Sequence, residues 1–349
     1  MNGQNILALQ TAFLGDVILS TPLIRGLNRI FPDAAIDILT TPETRIVFEH
    51  NPYIREILVF DKKRSFKKFA SFTQLVMEIR KRNYDLGISI QSSVTSALLL
   101  YLSGIPQRLG FSRQKFLTLT VPHTPGLHKI QKILRLLEPL SSLTMDIQTE
   151  LYWTEREEQK SVNISSSLAL AREPLIGMAP GSIWFTKRWP REYFIKLCEM
   201  LIQKGNRIVL IGGNDDQTLC EAIANRTGAI SVAGTLSVLE SAALIQKLDL
   251  LITNDSAPLH IANAVQTDLI AIFGPTVKEL GFYPFRAHDR IMEVDLPCRP
   301  CGTHGGKTCP RGHHQCMKLI GPEMVFNAVM NYFKILPLQK KEGYDKSPL

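Results

Sequence analysis

Three short stretches of this 349-residue chain carry side chains able to do chemistry. The first, Gln10-Thr11-Ala12-Phe13-Leu14-Gly15-Asp16-Val17, follows an apolar run that reads as a strand and leads into a helix. Gly15 permits close backbone approach, and Asp16, at the strand's carboxyl end, is a candidate general base for a hydroxyl nucleophile. The plainer reading of Asp16 is an acid that complements the start of a helix dipole. The second stretch runs from Met178-Ala179-Pro180-Gly181-Ser182 to Thr186-Lys187-Arg188-Trp189-Pro190. A loop with glycine, hydroxyls and cations ahead of a helix is equipped to hold a diphosphate, although the same residues also make an ordinary solvated basic loop. The third is Ile252-Thr253-Asn254-Asp255-Ser256-Ala257-Pro258-Leu259-His260. Here Asn254, Asp255 or Ser256 can cap a helix starting near Pro258, whose N–H groups would meet a phosphate. His260 falls in the first turns, where it faces either a ligand or the core.

Something must hold these stretches at the ends of strands. Apolar, branched runs at Asn5–Leu9, Ala35–Leu39, Ile57–Phe60 and Leu86–Ile90 have the length of buried parallel strands. Segments of helical spacing, such as Leu14–Ile30 and Phe66–Arg82, lie between them, and Ser96–Ile105 reads as a buried helix. The rhythm restarts at Leu175–Met178 and continues through Arg207–Ile211, Leu250–Thr253 and Asp268–Phe273. This alternation predicts parallel sheets covered by helices on both faces. The polar, Ser-rich stretch Glu150–Glu173 separates the two series and is the expected domain boundary. Two such domains would present the carboxyl ends of their sheets to a cleft, where ligands of these folds bind.

Hydrophobic residues make up 45% of the chain and charged residues 21%, which suits two ordinary globular cores. No apolar run approaches the roughly 20 residues of a membrane-spanning helix, and the opening MNGQNILALQ reads as a first strand, not a leader. A cytoplasmic setting would keep the six cysteines mostly reduced. The net charge of +8 points to a negatively charged partner. Gly306-Lys307-Thr308 is not the end of a P-loop, because Cys301 stands where the motif needs glycine. No G-x-G-x-x-G follows the first strand, which argues against a nicotinamide dehydrogenase. The absence of a D-x-D pair argues against transferases that hold a metal–nucleotide complex. The cations are dispersed and no recognition motif accompanies them, so nucleic acid is not the expected partner.

Together, L-G-D at Leu14–Asp16, the G-S…T-K-R-W-P loop at Gly181–Pro190, T-N-D-S-x-x-x-H-I-A at Thr253–Ala262 and F-G-P-T at Phe273–Thr276 resemble glycosyltransferase family 9, the heptosyltransferases, over nearly the whole chain. The segment Cys309–Met317 is similar to members that add the second heptose. The resemblance implies an α/β, GT-B fold: two doubly wound Rossmann-like domains facing across a cleft, an acceptor-binding domain over 1–160 and an ADP-heptose-binding domain over 170–336; the charged tail at 337–349 reads as disordered from its composition. It implies inverting transfer of heptose from ADP-heptose to an anionic lipopolysaccharide precursor, Kdo-lipid A or its heptosylated form, with no cofactor required for catalysis. Family roles then fall on Asp16 as base and Lys187 as the cation on the diphosphate. Ser182 and the turn Asp255, Ser256, Ala257, Pro258, Leu259 and His260 would bind phosphate and donor sugar, Leu236 would lie near the adenine, and Asp216 would contact the ribose. Rival readings keep the donor with a protein serine of an autotransporter as acceptor, or make the chain a catalytically silent nucleotide-sugar sensor. Retention of both Asp16 and Lys187 favours an enzyme.

Two further clusters stand apart. Cys298-x-x-Cys301, Cys309 and Cys316, with His304, His313 and His314 among them, could close a structural zinc or iron site. The spacing does not match a standard zinc ribbon, and a reduced, partly buried loop is the alternative. Lys62, Lys63, Arg64, Lys67 and Lys68 flank Phe66 and Phe69 at the start of a helix. They could meet an anionic acceptor or place the protein peripherally at the cytoplasmic face of the inner membrane. An amphipathic helix burying its phenylalanines is the plainer reading.

Overall fold

The computed structural model describes residues 4–61, 68–112, 114–168 and 173–336. The chain divides into two compact units, Met1–Tyr152 and Trp153–Ser347. The first contains β1 (Asn5–Leu9), α1 (Leu14–Ile18), α2 (Thr21–Ile30), β2 (Ala35–Thr40), β3 (Glu56–Val59), α3 (Lys68–Lys81), β4 (Leu86–Ser89), α4 (Val94–Leu102), β5 (Gln107–Phe111), β6 (Leu119–Val121) and α5 (Lys129–Leu134). Its strands form one sheet in the order β3-β2-β1-β4-β5-β6. Every pairing is parallel, with Ile6 opposite both Ile36 and Leu86 at the centre. The order reverses between β1 and β4, so the loops leaving these two strands diverge and open a crevice at their carboxyl ends.

The second unit contains α6 (Glu155–Leu168), β7 (Leu175–Ala179), α7 (Arg191–Ile202), β8 (Arg207–Leu210), α8 (Gln217–Thr227), β9 (Ile230–Ser231), α9 (Val238–Lys247), β10 (Leu250–Asn254), α10 (Ala257–Ala264), β11 (Leu269–Ile272), β12 (Arg290–Met292), α11 (Gln315–Lys318) and α12 (Pro322–Ile335). The sheet, in the order β12-β11-β10-β7-β8-β9, is again parallel throughout. Here the reversal lies between β7 and β10. Both strands are buried along their whole length, as expected for a sheet covered on two faces. The core around them holds Trp189, Phe194, Leu197 and Leu210.

One expectation about elements needs correction. The helix expected over Leu14–Ile30 is two helices, α1 and α2. Pro22, near the start of α2, lacks the N–H that a continuous helix would need. The hydroxyls of Ser20 and Thr21 fold back onto the carbonyls of Val17 and Ile18 at 2.6 and 2.9 Å. The polar stretch Glu150–Glu173, expected as the domain boundary, contains the division between the units at Tyr152 and Trp153 and continues as helix α6, which packs on α9 within the second unit. Its cations and acids are tied into that unit through Lys160–Glu240 at 3.0 Å and Glu158–Lys247 at 2.5 Å. Trp153, just before it, donates its indole N–H to Glu158 at 2.7 Å. Lys62, Lys63, Arg64 and Lys67 lie outside the described residues, as does the tail 337–349, while Lys68 opens α3. Among the described residues no helix is long and apolar enough to cross a membrane.

Candidate functional site

The second unit gathers its chemistry at the switch between β7 and β10. Asn254, the last residue of β10, does not cap α10. Its amide nitrogen donates to the Pro180 carbonyl at 2.8 Å, and its oxygen accepts the Trp189 backbone N–H at 3.1 Å. One buried side chain therefore fixes the loop after β7 and the residue that follows Lys187–Arg188. Trp189 is anchored in turn by its indole N–H to the Ile320 carbonyl at 2.8 Å. So held, Lys187 reaches Asp255, with Nζ 2.5 Å from Oδ2. Side-chain exposures of 12% and 6% make this a buried ion pair. The Thr276 hydroxyl donates to the same carboxylate oxygen at 2.6 Å. Asp255 thus serves as the counter-charge and positioning group of Lys187, not as a helix cap.

The cap of α10 is Ser256, whose side chain makes no capping bond to the helix. Pro258 offers no N–H, and Leu259 N–H bonds the Ser256 carbonyl at 3.1 Å, which leaves Ala257 at the open end of the helix. Leu259 is wholly buried and His260 is 5% exposed. Ser182, also buried, accepts the Trp184 N–H at 3.3 Å, and its carbonyl takes the Arg188 guanidinium at 2.8 Å. Asp216 lies against Gly181: a Cβ on that glycine would come within 2.0 Å of the Asp216 carboxylate. Asp216 accepts the Gly213 N–H at 3.1 Å, and burial raises its carboxyl above the ordinary value despite that bond and the nearby Arg188 charge. Leu236, half-buried, follows Gly234, whose φ of +74° places it in the left-handed region that glycine tolerates.

The cysteine-bearing segment proves to be scaffolding for the Lys187 loop. Thr186 exchanges hydrogen bonds with Gly306, N–H to carbonyl at 3.1 Å and Gly306 N–H to the hydroxyl at 2.7 Å, and its carbonyl accepts His314 Nε2–H at 2.8 Å. A Cβ on Gly305 would meet Trp184 at 2.5 Å and Lys187 Cγ at 3.0 Å, so glycine is needed for this approach. Arg299 donates to the carbonyls of Gly274 and Thr276, tying the same segment to the loop that carries the Thr276 hydroxyl. Cys298 Sγ lies 4.0 Å from His313 Nε2, and the Cys301 thiol donates to the Cys298 carbonyl at 3.2 Å. Among the described residues, no three Cys, His, Asp or Glu side chains are grouped to hold a metal ion. As arranged, Cys298, Cys301, Cys309 and Cys316 do not fit a four-thiolate centre. Burial, with the neighbouring Cys301, Cys309 and Cys298, pushes the Cys316 thiol up to about 11. Desolvation acts against the Cys309 thiolate too, yet the backbone N–H groups of His314, Arg311, Gly312 and His313 outweigh it and hold that thiol below its ordinary value.

In the first unit, Asp16 stands in the opening turn of α1 at the carboxyl end of β1, its side chain 18% exposed. Lys129, at the start of α5, brings Nζ to 3.6 Å from Oδ1. The loop before Asp16 is fastened from both sides. Gln10 donates its amide to the Asp16 carbonyl at 3.2 Å, and the Gln91 amide oxygen, after β4, accepts the backbone N–H groups of Thr11, at 3.0 Å, and Ala12. Gln114 secures that second loop by donating to the carbonyls of Gln91 and Ser93, both at 2.9 Å. Sequence reasoning named Asp16 but missed Lys129 and Gln91, which no local pattern marks because each is more than 70 residues distant. It noticed Thr276 only as part of F-G-P-T, without a partner for its hydroxyl.

Comparison with known proteins bears on the family and the fold. The family model described as glycosyltransferase family 9 (heptosyltransferase) matches residues 72–310. Lipooligosaccharide heptosyltransferase 2 of Campylobacter jejuni is 26% identical over 330 residues, covering 92% of this chain and 96% of the relative. The glycosyl transferase family 9 protein of Veillonella parvula superposes with a TM-score of 0.83 at 24% identity, over 96% of this chain and 98% of the other. The ADP-heptose lipopolysaccharide heptosyltransferase II of Escherichia coli gives a TM-score of 0.76 at 23% identity, over 95% and 99%.

Proposed function

The chain belongs to glycosyltransferase family 9, the heptosyltransferases, and on that premise we propose that it transfers heptose from ADP-heptose to the inner core of lipopolysaccharide with inversion at the anomeric carbon. The observation that carries this reading is the buried Lys187–Asp255–Thr276 cluster at the β7/β10 switch, beside the open end of α10. As the bond between the anomeric carbon and the diphosphate breaks, ADP leaves with the electron pair and negative charge grows on its terminal phosphate. A preorganised cation and backbone N–H groups stabilise that charge without reorganising, an effect worth about 10²–10³-fold for one donor. Asp255 and Thr276 hold the ammonium in place, and Ser182 and Ala257 line the same loop ends. Asp16 takes the proton of the acceptor hydroxyl as its oxygen forms the new glycosidic bond from the opposite face. Lys129 gives that carboxylate a positively charged setting suited to an anionic acceptor. Donor and acceptor sites thus divide between the second and first units.

Incubation of the purified chain with ADP-heptose and defined lipopolysaccharide truncations tests the proposal. The expected result is one heptose added to a single truncation, by mass, with the anomeric configuration inverted by NMR. Intact ADP-heptose with every truncation would overturn the substrate assignment, and retained configuration would overturn the role of Asp16.

A further inference from the structure

The segment 298–316 carries four of the chain's six cysteines, and the transfer chemistry uses none of them. Their settings differ. Cys316 is buried in the core of the second unit, and Cys298 Sγ faces His313 Nε2. Cys301 is exposed, its thiol resting on the Cys298 carbonyl at 3.2 Å. Cys309 is half-buried, and the backbone N–H groups of Arg311, Gly312, His313 and His314 are directed at its sulfur. That ring of donors favours the thiolate, the reactive form of cysteine. Cys301 lies within electrostatic reach of both Cys309 and Cys298. These two cysteines bracket 302–308, the stretch that supports the Lys187 loop. Here Thr186 and Gly306 exchange hydrogen bonds, and Gly305 approaches Trp184 so closely that no Cβ would fit. The bracketed stretch holds three glycines, among them Gly302 with a φ of +151°. A glycine-rich stretch changes its path at little steric cost, whereas its contacts with Thr186 and Trp184 have no slack.

We propose that Cys301 and Cys309 are a redox pair whose disulfide loosens the Lys187 loop. The oxidant is a low-molecular-weight disulfide such as glutathione disulfide. The Cys309 thiolate attacks one sulfur of that disulfide, forming a mixed disulfide and expelling one glutathione thiolate. The Cys301 thiol gives its proton to the expelled thiolate and attacks Cys309 Sγ. The internal bond forms, and the second glutathione leaves as a thiolate that takes a proton from water. Two protein thiols are thereby oxidised, and one glutathione disulfide is reduced to two thiols. Closure breaks the contact of the Cys301 thiol with the Cys298 carbonyl and redirects 302–308, so Gly305 and Gly306 withdraw from Trp184 and Thr186. Lys187 then loses part of the support that aims it at Asp255. The bond and the loosening stand on the second unit alone; only their effect on ADP rests on the donor reading.

Incubation of the reduced, untagged full chain with glutathione disulfide tests it. Peptide mapping is expected to join Cys301 to Cys309, and amide hydrogen exchange at Thr186 and Gly306 should quicken about tenfold. ADP affinity by calorimetry should fall about tenfold, as for the loss of one or two hydrogen bonds, and dithiothreitol should restore both. Cys301→Ser should carry glutathione on Cys309 and gain no internal bond, whereas Cys298→Ser should respond like wild type. A different pairing would overturn the proposal, as would a Cys301–Cys309 bond with unchanged exchange at Thr186 and Gly306. So would a zinc or iron that must be removed before the thiols react. Loosening of the loop in a chain whose reduced form binds no ADP would uphold the redox pair and count against the donor reading.

Discussion

At the scale of single residues, Asp16 and Lys187 sit in different electrostatic settings, and substitutions should separate them. Asp16→Asn keeps the shape but cannot take a proton, so turnover should fall at least ~100-fold while ADP affinity, measured by calorimetry, stays near normal. Near-normal turnover would reduce Asp16 to a helix-start acid held by Lys129. Lys187→Ala strands the buried Asp255 carboxylate without its cation. It should therefore cost stability, of order 3–5 kcal/mol, as well as donor affinity. Thr276→Val removes one neutral donor to the same carboxylate and should cost only about 1 kcal/mol. Thermal denaturation of the two variants checks that ranking, and equal losses would contradict the ion pair's primacy. The cysteines differ as sharply. Cys309, its thiol held low by backbone N–H groups, should alkylate with iodoacetamide ahead of the more exposed Cys301, whose thiol burial and neighbouring sulfurs raise. Elemental analysis of untagged protein should find well under one zinc or iron per chain; about one per chain would mean that the thiols close around a metal.

At the scale of elements, the central strands were legible because burial on both faces leaves an unbroken apolar run. Leu250–Thr253 was read almost to its observed end at Asn254. The strands β5, β6, β9 and β12 carry no such mark. β5 opens on Gln107 and Arg108, β6 has three residues and β9 two, so tertiary pairing alone defines them. The L-G-D, Lys187 and Asp255 segments were visible as strand-end turns. What joins them was not, since Asn254–Trp189 and Asp255–Thr276 are long-range bonds. The amino end of the first sheet holds another long-range construction. Buried Asp37 of β2 takes the Arg55 guanidinium on both oxygens at 2.9 and 2.6 Å, and the Tyr84 hydroxyl at 2.5 Å. Burial, with the Asp37 bond, raises the Tyr84 hydroxyl well above its ordinary value. Asp37→Ala should lose about 3–5 kcal/mol of stability, because it leaves Arg55 and Tyr84 without their acceptor. Denaturation that leaves donor binding by the second unit unchanged would confirm that the damage is local.

At the scale of the whole molecule, the same strand order occurs twice, and the two sheets open their switch points at equivalent places, β1/β4 and β7/β10. One consequence concerns pH. Asp289, beside β12, accepts N–H groups from Asn263, Leu269 and Arg286, each at 3.0 Å. Burial outweighs those bonds and pushes its carboxyl up to about 6. A carboxyl raised on folding favours the folded state fully below its unfolded value of about 4, and that contribution is lost as pH rises through about 6. Asp289→Asn should flatten the stability profile across this interval by roughly 3 kcal/mol; denaturant midpoints with the same slope as wild type would place the titration elsewhere. The arrangement also makes one unit visible to light without the other. The chain's three tryptophans are Trp153, Trp184 and Trp189, and all belong to the second unit. Intrinsic fluorescence excited at the indole band therefore reports the second unit alone, with Trp184, on the Lys187 loop and against Gly305, as its local probe. The first unit, dark at that wavelength, is followed only by circular dichroism, so a gap between the two melting curves would time the separate loss of each sheet.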